Sequence, residues 1–146
     1  MHCQQRARRW TPGTGKWPTV GSLDVVCLHD IGVGIAAVSA DSAEQLAEHR
    51  SRLSVDFPVY HGLTTAQMQA LGLYISVPRS EQETDHDFAE PGLFVINMQG
   101  ALQVVDICNN PFSRPDPETL VSGLECTHKP QNNYPVRGTW KGTQST

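Results

Sequence analysis

The segment that most restricts the fold runs from residue 35 to residue 60 and has the sequence IAAVSADSAEQLAEHRSRLSVDFPVY. It begins with an apolar run, continues with a helical pattern of Ala and Leu residues, and ends with a second short apolar run. A continuous apolar run is typical of a strand buried on both faces, as in a parallel sheet. A helix between two such strands predicts a right-handed β-α-β unit, which indicates an α/β protein.

The bounds of this unit follow from local signals. We predict strands over Gly34–Ser39 and Phe57–Tyr60, the second parallel to the first. Asp41, with Glu44 three residues later, has the form of a capping box and predicts the start of the helix between the strands.

The following residues predict a further helix, a hairpin and a closing helix. Thr64 and Gln67 form a second capping-box pattern. Strands are expected over Leu93–Asn97 and Leu102–Ile107, antiparallel around a tight turn, and the polar, acidic stretch from residue 76 to 90 is expected to be a loop. Asp116, followed by proline at the first helical position, predicts the last helix. The order β-α-β-α-β-β-α predicts an α/β sandwich in which one mixed sheet is flanked by helices.

Composition divides the chain into three segments. Residues 1–22 mix Arg, Trp, Pro and Gly without a helical or strand period, so we expect an irregular or disordered N-terminal segment. Residues 23–127 carry the α/β pattern and form the expected domain. Residues 128–146 are polar and rich in Pro and Gly, which indicates a loose C-terminal extension.

Net charge, hydropathy and cysteine content restrict the classes of partner and the cellular compartment that we expect. The net charge of −4 and the pI near 5.8 argue against a nucleic-acid surface, which usually needs a basic excess. No apolar run approaches the roughly 20 residues of a membrane span, and the start of the chain lacks the apolar core of a secretory signal. We therefore expect a cytoplasmic protein with four reduced cysteines. No phosphate-binding loop or dinucleotide fingerprint occurs, so no cofactor is expected.

Three stretches of this chain resemble the AhpC/TSA peroxiredoxin-like (redoxin) family. They are AVSADSAEQLAEHRSRLSVDFPVYHGLTTAQMQALGLYIS, EPGLFVINMQGALQVVDICNNPFSRPDPETLVSGLE and the short YPVRGTW. The likeness runs from about Asp30 to Glu125, with an echo near Tyr134 to Trp140. It implies a thioredoxin-like fold whose N-terminal part is incomplete, and a thiol-dependent oxidoreductase that reduces a peroxide and is recycled by a thiol reductant.

The resemblance also indicates where reactive residues should lie. Redoxins carry their nucleophilic thiol in a His-Cys-Pro-x-Cys type motif, at the N-terminus of the helix before the AVSAD stretch. A helix N-terminus stabilises the thiolate that attacks the peroxide. Here His2 and Cys3 are followed by Gln4 where the family has proline, so Cys3 is a candidate nucleophile whose surroundings depart from the family pattern. The resemblance further implies that Pro91 is a cis-proline facing the active-site thiol.

Simpler interpretations exist for the remaining chemical groups. Cys27 and Cys108 fit small buried apolar residues, and Cys126 follows the last helix. Two Cys-x-His pairs, at Cys27 and Cys126, could in principle share a zinc ion, although structural zinc sites usually use Cys-x(2–4)-Cys hooks. His61 and His86 fit surface or core histidines better than catalytic bases.

Two other hypotheses remain open beside an active peroxidase. The chain could be a non-catalytic thioredoxin-fold binding module. It could also be a truncated or frameshifted product of a redoxin gene, in which case the nucleotide sequence would encode the missing strand and cysteine motif in another frame. The sequence indicates neither the peroxide substrate nor the oligomeric state.

Overall fold

A computed structural model describes residues 28–50, 52–53, 55–135 and 138. The predictions for the irregular N-terminal segment, for Cys3 and for Cys27 lie outside the described residues. The described part begins with helical residues 28–30. It continues with β1 (Ala37–Val38), α1 (Ala43–Arg50), β2 (Val59–Tyr60), α2 (Thr65–Ala70), β3 (Ile75–Ser76), β4 (Phe88–Ala89), β5 (Gly92–Ile96), β6 (Leu102–Ile107), α3 (Pro117–His128) and a short 3₁₀ helix (Pro130–Asn132).

The predicted parallel β-α-β unit is confirmed, with shorter strands than expected. β1 pairs with β2 in parallel, and Ala37 lies opposite Val59. The amides of Ala37 and Ser39 donate to carbonyl oxygens on either side of Val59. The helix starts one residue later than predicted because Ser42, rather than Asp41, exchanges reciprocal hydrogen bonds with Gln45. An amide-bearing Gln serves the capping box as well as Glu does.

The downstream elements agree closely with the sequence patterns. Thr64 and Gln67 form the predicted capping box at the start of α2. β5 and β6 form an antiparallel hairpin, in which the amide of Gly100 donates to the carbonyl oxygen of Asn97 to close the turn. Asp116 caps α3 by accepting from the amide of Thr119, as its position before a proline predicted.

The acidic stretch from residue 76 to 90 is not the simple loop that we expected. Its two ends form the short antiparallel ladder of β3 and β4, with Ile75 opposite Ala89. The Ser76 hydroxyl donates to the Glu90 carboxylate at 2.6 Å beside this ladder. Each of these strands has only two residues, which is too short to show a strand pattern among the surrounding polar residues.

The prediction of one mixed sheet is wrong for the described residues. Parallel and antiparallel pairs both occur, but they form three separate two-stranded ladders, β1–β2, β3–β4 and β5–β6. The apolar residues that lead into β1 pack against α3 instead of extending the ladder: Val33 and Ile35 both contact the core cluster. These side chains are packed in the core, and their backbone does not pair with another strand. The structure is therefore a mixed α/β arrangement of small ladders and helices.

The core of the described part forms around α3. Val121 and Leu124 are buried there together with Leu28. Val95 of β5 packs against the same cluster, which joins the hairpin to the closing helix. On the other side of the hairpin, Leu73 lies over Gly92 so closely that a Cβ atom at residue 92 would overlap it.

The beginning of the expected C-terminal extension is regular. The 3₁₀ helix Pro130–Asn132 follows α3 directly, and the Asn132 side-chain amide donates to the carbonyl oxygen of Cys126 at 2.7 Å. This hydrogen bond caps the end of α3, whose last carbonyl groups have no partner within the helix.

Candidate functional site

Pro91 lies between β4 and β5, where the resemblance placed it, but its geometry differs from the expectation. The described residues contain no cis peptide bond, so the bond before Pro91 is trans. Proline at this position needs no special geometry, because a residue at the entry of a strand can lack an amide hydrogen without loss of a ladder bond. Whether Pro91 lines a substrate groove stays a prediction.

The structure brings Pro91 together with Cys108. The carbonyl oxygen of Pro91 accepts the amide hydrogen of Cys108 at 3.0 Å and lies 3.8 Å from its sulfur. The half-buried thiol also faces the carbonyl oxygens of Asn110 and Ser113, at 3.2 and 2.7 Å. A thiol has one hydrogen to donate, and Ser113 offers the nearest acceptor.

This pairing follows from the hairpin. Gly92 lies opposite Ile107 in the antiparallel register, so the residues one step further along each strand, Pro91 and Cys108, must also be neighbours. The sequence predicted the turn and both strands almost to the residue, but not the register shift between Val95 and Ile96 that brings Pro91 opposite Cys108. The loop that brings Ser113 onto the sulfur could not be predicted in the same way, since it has no period of its own.

Cys126 is exposed near the C-terminal end of α3. Its sulfur accepts one weak contact, from the Asn132 amide at 3.4 Å. The neighbouring His128 approaches the carbonyl oxygen of Leu124 at 3.0 Å through its Nδ1 atom. Among the described residues no group of three or more His, Cys, Asp or Glu side chains is arranged to hold a metal ion. The hypothesis of a zinc ion shared by the two Cys-x-His pairs therefore has no support from Cys126, and Cys27 lies outside the described residues.

A second polar cluster lies at the carboxyl ends of β1 and β2, and we call it the His86 junction. It consists of Asp41, Gln45, His49, Asp85 and His86. The Asp41 carboxylate lies between the two histidines, 3.6 Å from His49 Nδ1 and 3.6 Å from His86 Nε2. The other ring nitrogen of His86 lies 2.7 Å from Asp85 Oδ1, which also accepts from the Gln45 side chain at 2.9 Å.

The acidic loop is held at both of its ends. Hydrogen bonds from His86 and then from Gln45 lower the pKa of the Asp85 carboxyl. At the other end, the Arg79 side chain binds the Glu83 carboxylate at 2.8 Å, and this hydrogen bond lowers the pKa of Glu83. The acidic side chains of this loop are exposed, as a solvated loop predicts, and these contacts fix the loop at the surface.

A small cavity of about 110 Å³ lies beneath α1, away from Pro91 and Cys108. Its lining residues have apolar side chains apart from Arg50, and they are Leu46, Arg50, Leu53, Val55, Phe57 and Val59. The cavity is too small to enclose an organic substrate of ordinary size, which needs a few hundred Å³.

In comparisons with known proteins, no family model, no curated protein and no solved structure matches this chain. Within the part of the chain that the structure describes, no helix is both long and apolar enough to cross a membrane.

Proposed function

We propose that this chain is a redoxin-like thiol oxidoreductase domain with a thioredoxin-like fold, acting in the cytoplasm, and that in its present form it reduces peroxides weakly or not at all. The observation that supports the domain is the order and direction of its elements. A parallel β-α-β unit precedes an antiparallel hairpin with Pro91 at its entry, and α3 packs against that hairpin.

Peroxide reduction sets a clear chemical requirement. A thiolate attacks one peroxide oxygen, the O–O bond breaks, and the products are a sulfenic acid and an alcohol or water. A second thiol then displaces the sulfenic oxygen as water and forms a disulfide, which the reductant reopens. The first step needs a thiolate and hydrogen-bond donors aimed at the leaving oxygen.

The two described thiols do not meet this requirement. Cys108 faces three carbonyl oxygens, which are acceptors and cannot stabilise the charge that develops on an oxygen atom. Cys126 lies in the last turn of α3, where the carbonyl end of the helix carries partial negative charge. This is the opposite of the helix N-terminus that the resemblance implies for the nucleophile, and it supports low activity. Cys3 remains the candidate nucleophile by resemblance alone.

The test is peroxide consumption by the purified chain with excess dithiothreitol. The comparison includes Cys3→Ser, Cys27→Ser, Cys108→Ser and Cys126→Ser, with a variant lacking all four cysteines as the background. We expect slow consumption to which no single cysteine contributes most of the rate. Rapid turnover that Cys3→Ser abolishes would instead show that the family activity is present and that Cys3 is the nucleophile.

A non-catalytic binding module is the second candidate function, because the surroundings of Cys108 and Cys126 do not favour catalysis. If consumption by the wild-type chain does not exceed that of the cysteine-free background, the oxidoreductase proposal fails and the binding module remains.

A further inference from the structure

The His86 ring is held between two carboxylates, one on each side. Its Nε2 atom lies 3.6 Å from Asp41 Oδ1, and its Nδ1 atom lies 2.7 Å from Asp85 Oδ1. A neutral imidazole has one N–H donor, whereas an imidazolium has two. Only the protonated ring therefore has a hydrogen on both nitrogens and the positive charge that makes the 3.6 Å contact with Asp41 an ion pair, since this contact is too long for a hydrogen bond. In either neutral tautomer, one carboxylate faces a nitrogen lone pair.

The two carboxylates belong to different parts of the fold. Asp85 lies in the β3–β4 loop, beside His86 itself. Asp41 lies between β1 and α1, where its backbone carbonyl accepts the amide hydrogen of Gly62 and its amide donates to the Ser39 hydroxyl. Asp41 is thus fixed to the framework, and the contact from His86 attaches the loop to it.

The remaining groups around the junction define its charge. His49 on α1 approaches the second oxygen of Asp41, so two histidines share one carboxylate. The Gln45 amide and the Thr84 hydroxyl, which lies 3.0 Å from His86 Nδ1, are neutral partners. Glu44, in the first turn of α1, interacts electrostatically with His61 in the loop after β2. With both histidines of the junction protonated, their charges balance those of Asp41 and Asp85.

We propose that the His86 junction is a pH-dependent clasp, which holds the β3–β4 loop more tightly against the start of α1 when His86 is protonated and loosens as the pH rises, while the hydrogen bond from Gln45 to Asp85 persists. Histidine changes its charge between about pH 5 and 8, where neither carboxylate does. The loop is bound at low pH within this range and more mobile at high pH. This inference does not depend on the proposed oxidoreductase activity.

The experiment measures backbone mobility by ¹⁵N NMR relaxation between pH 5 and 8. The reporters are the heteronuclear NOE values of residues 80–87, and the ring-proton shifts of His86 give its titration in the same samples. We expect the NOE values to fall as the pH rises, with the midpoint of the His86 titration. The exchange protection of the Glu83 amide, corrected for the intrinsic effect of pH, should fall roughly two- to fivefold, as expected for a surface ion pair.

Two variants separate the clasp from a general effect of pH. His86→Gln should give low NOE values at both ends of the range, while the β5–β6 hairpin resonances report that the chain has folded. His61→Gln replaces an exposed histidine at the same end of the β1–β2 ladder and should behave like the wild-type chain. The inference is overturned if the wild-type loop does not respond while His86 titrates, a result that needs no variant. It is also overturned if His86→Gln keeps the wild-type response.

Discussion

Replacing Leu124 by alanine tests whether the cluster around α3 is the core of the described domain. Leu124 is 3% exposed and packs with Leu28 and Val121, so the change removes three carbon atoms from a buried site. At about 0.8 kcal/mol for each buried carbon, the transfer contribution is about 2.4 kcal/mol. A residual cavity adds to this cost, and we expect the free energy of unfolding to fall by about 3 kcal/mol.

The assay is urea denaturation followed by far-ultraviolet circular dichroism. With a slope of about 1.5 kcal/mol per molar urea, the midpoint should fall by about 2 M. The matched control is Leu102→Ala, the same chemical change at a β6 residue that is 51% exposed, which should cost less than about 1 kcal/mol. Equal losses for the two variants, or a loss below about 1 kcal/mol for Leu124→Ala, would refute the assignment of the core to α3.

Four further variants test the backbone and the caps, each by the same denaturation assay. Gly92→Ala should destabilise the chain by about 1 kcal/mol because its Cβ atom would overlap the end of the Leu73 side chain, which must move aside. Gly123→Ala, with open space around it in α3, should stabilise the chain by about 0.5–1 kcal/mol. A Gly92→Ala variant as stable as the wild-type chain would contradict the packing of Leu73 over Gly92. Thr64→Ala removes the capping box of α2 and should cost about 1 kcal/mol, and no loss would place the helix start elsewhere. The hydrogen bonds from Thr119 lower the pKa of the Asp116 carboxyl, so the stabilisation by the charged cap is present above about pH 4 and is lost on acidification. Asp116→Asn should therefore lose less stability than the wild-type chain between about pH 5 and 2. An unchanged acid profile would contradict this.

The sequence predicted those parts of the fold that local chemistry determines. Asp116 before a proline, the Thr64–Gln67 pair and the Asn97–Gly100 turn each specify a backbone geometry within a few residues, and each occurs in the structure. The hairpin strands were predicted within one residue for the same reason, whereas the register shift between Val95 and Ile96 is not specified by the turn.

The arrangement of the ladders could not be predicted in this way. Whether Val33 and Ile35 extend a strand or pack on α3 depends on what else is available to cover the closing helix, and no local pattern contains that information. The short ladder of β3 and β4 was missed because Ile75–Ser76 and Phe88–Ala89 are too brief to show an alternation of polar and apolar residues.

The candidate sites show the same division between local and distant determinants. The pairing of the two strands next to Pro91 and Cys108 was predicted from the hairpin pattern, although the register shift that brings these two residues together was not. The His86 junction joins residues more than 40 positions apart in the chain and gave no sequence signal. The surroundings of the two described thiols also bear on peroxidase activity. The described framework positions Cys108 against carbonyl acceptors and Cys126 at the C-terminal end of a helix, whereas the proposed mechanism needs a thiol at a helix N-terminus. Rapid peroxide turnover would therefore have to come from Cys3 or Cys27, and the single serine variants at these two positions distinguish that outcome from a domain without catalytic activity.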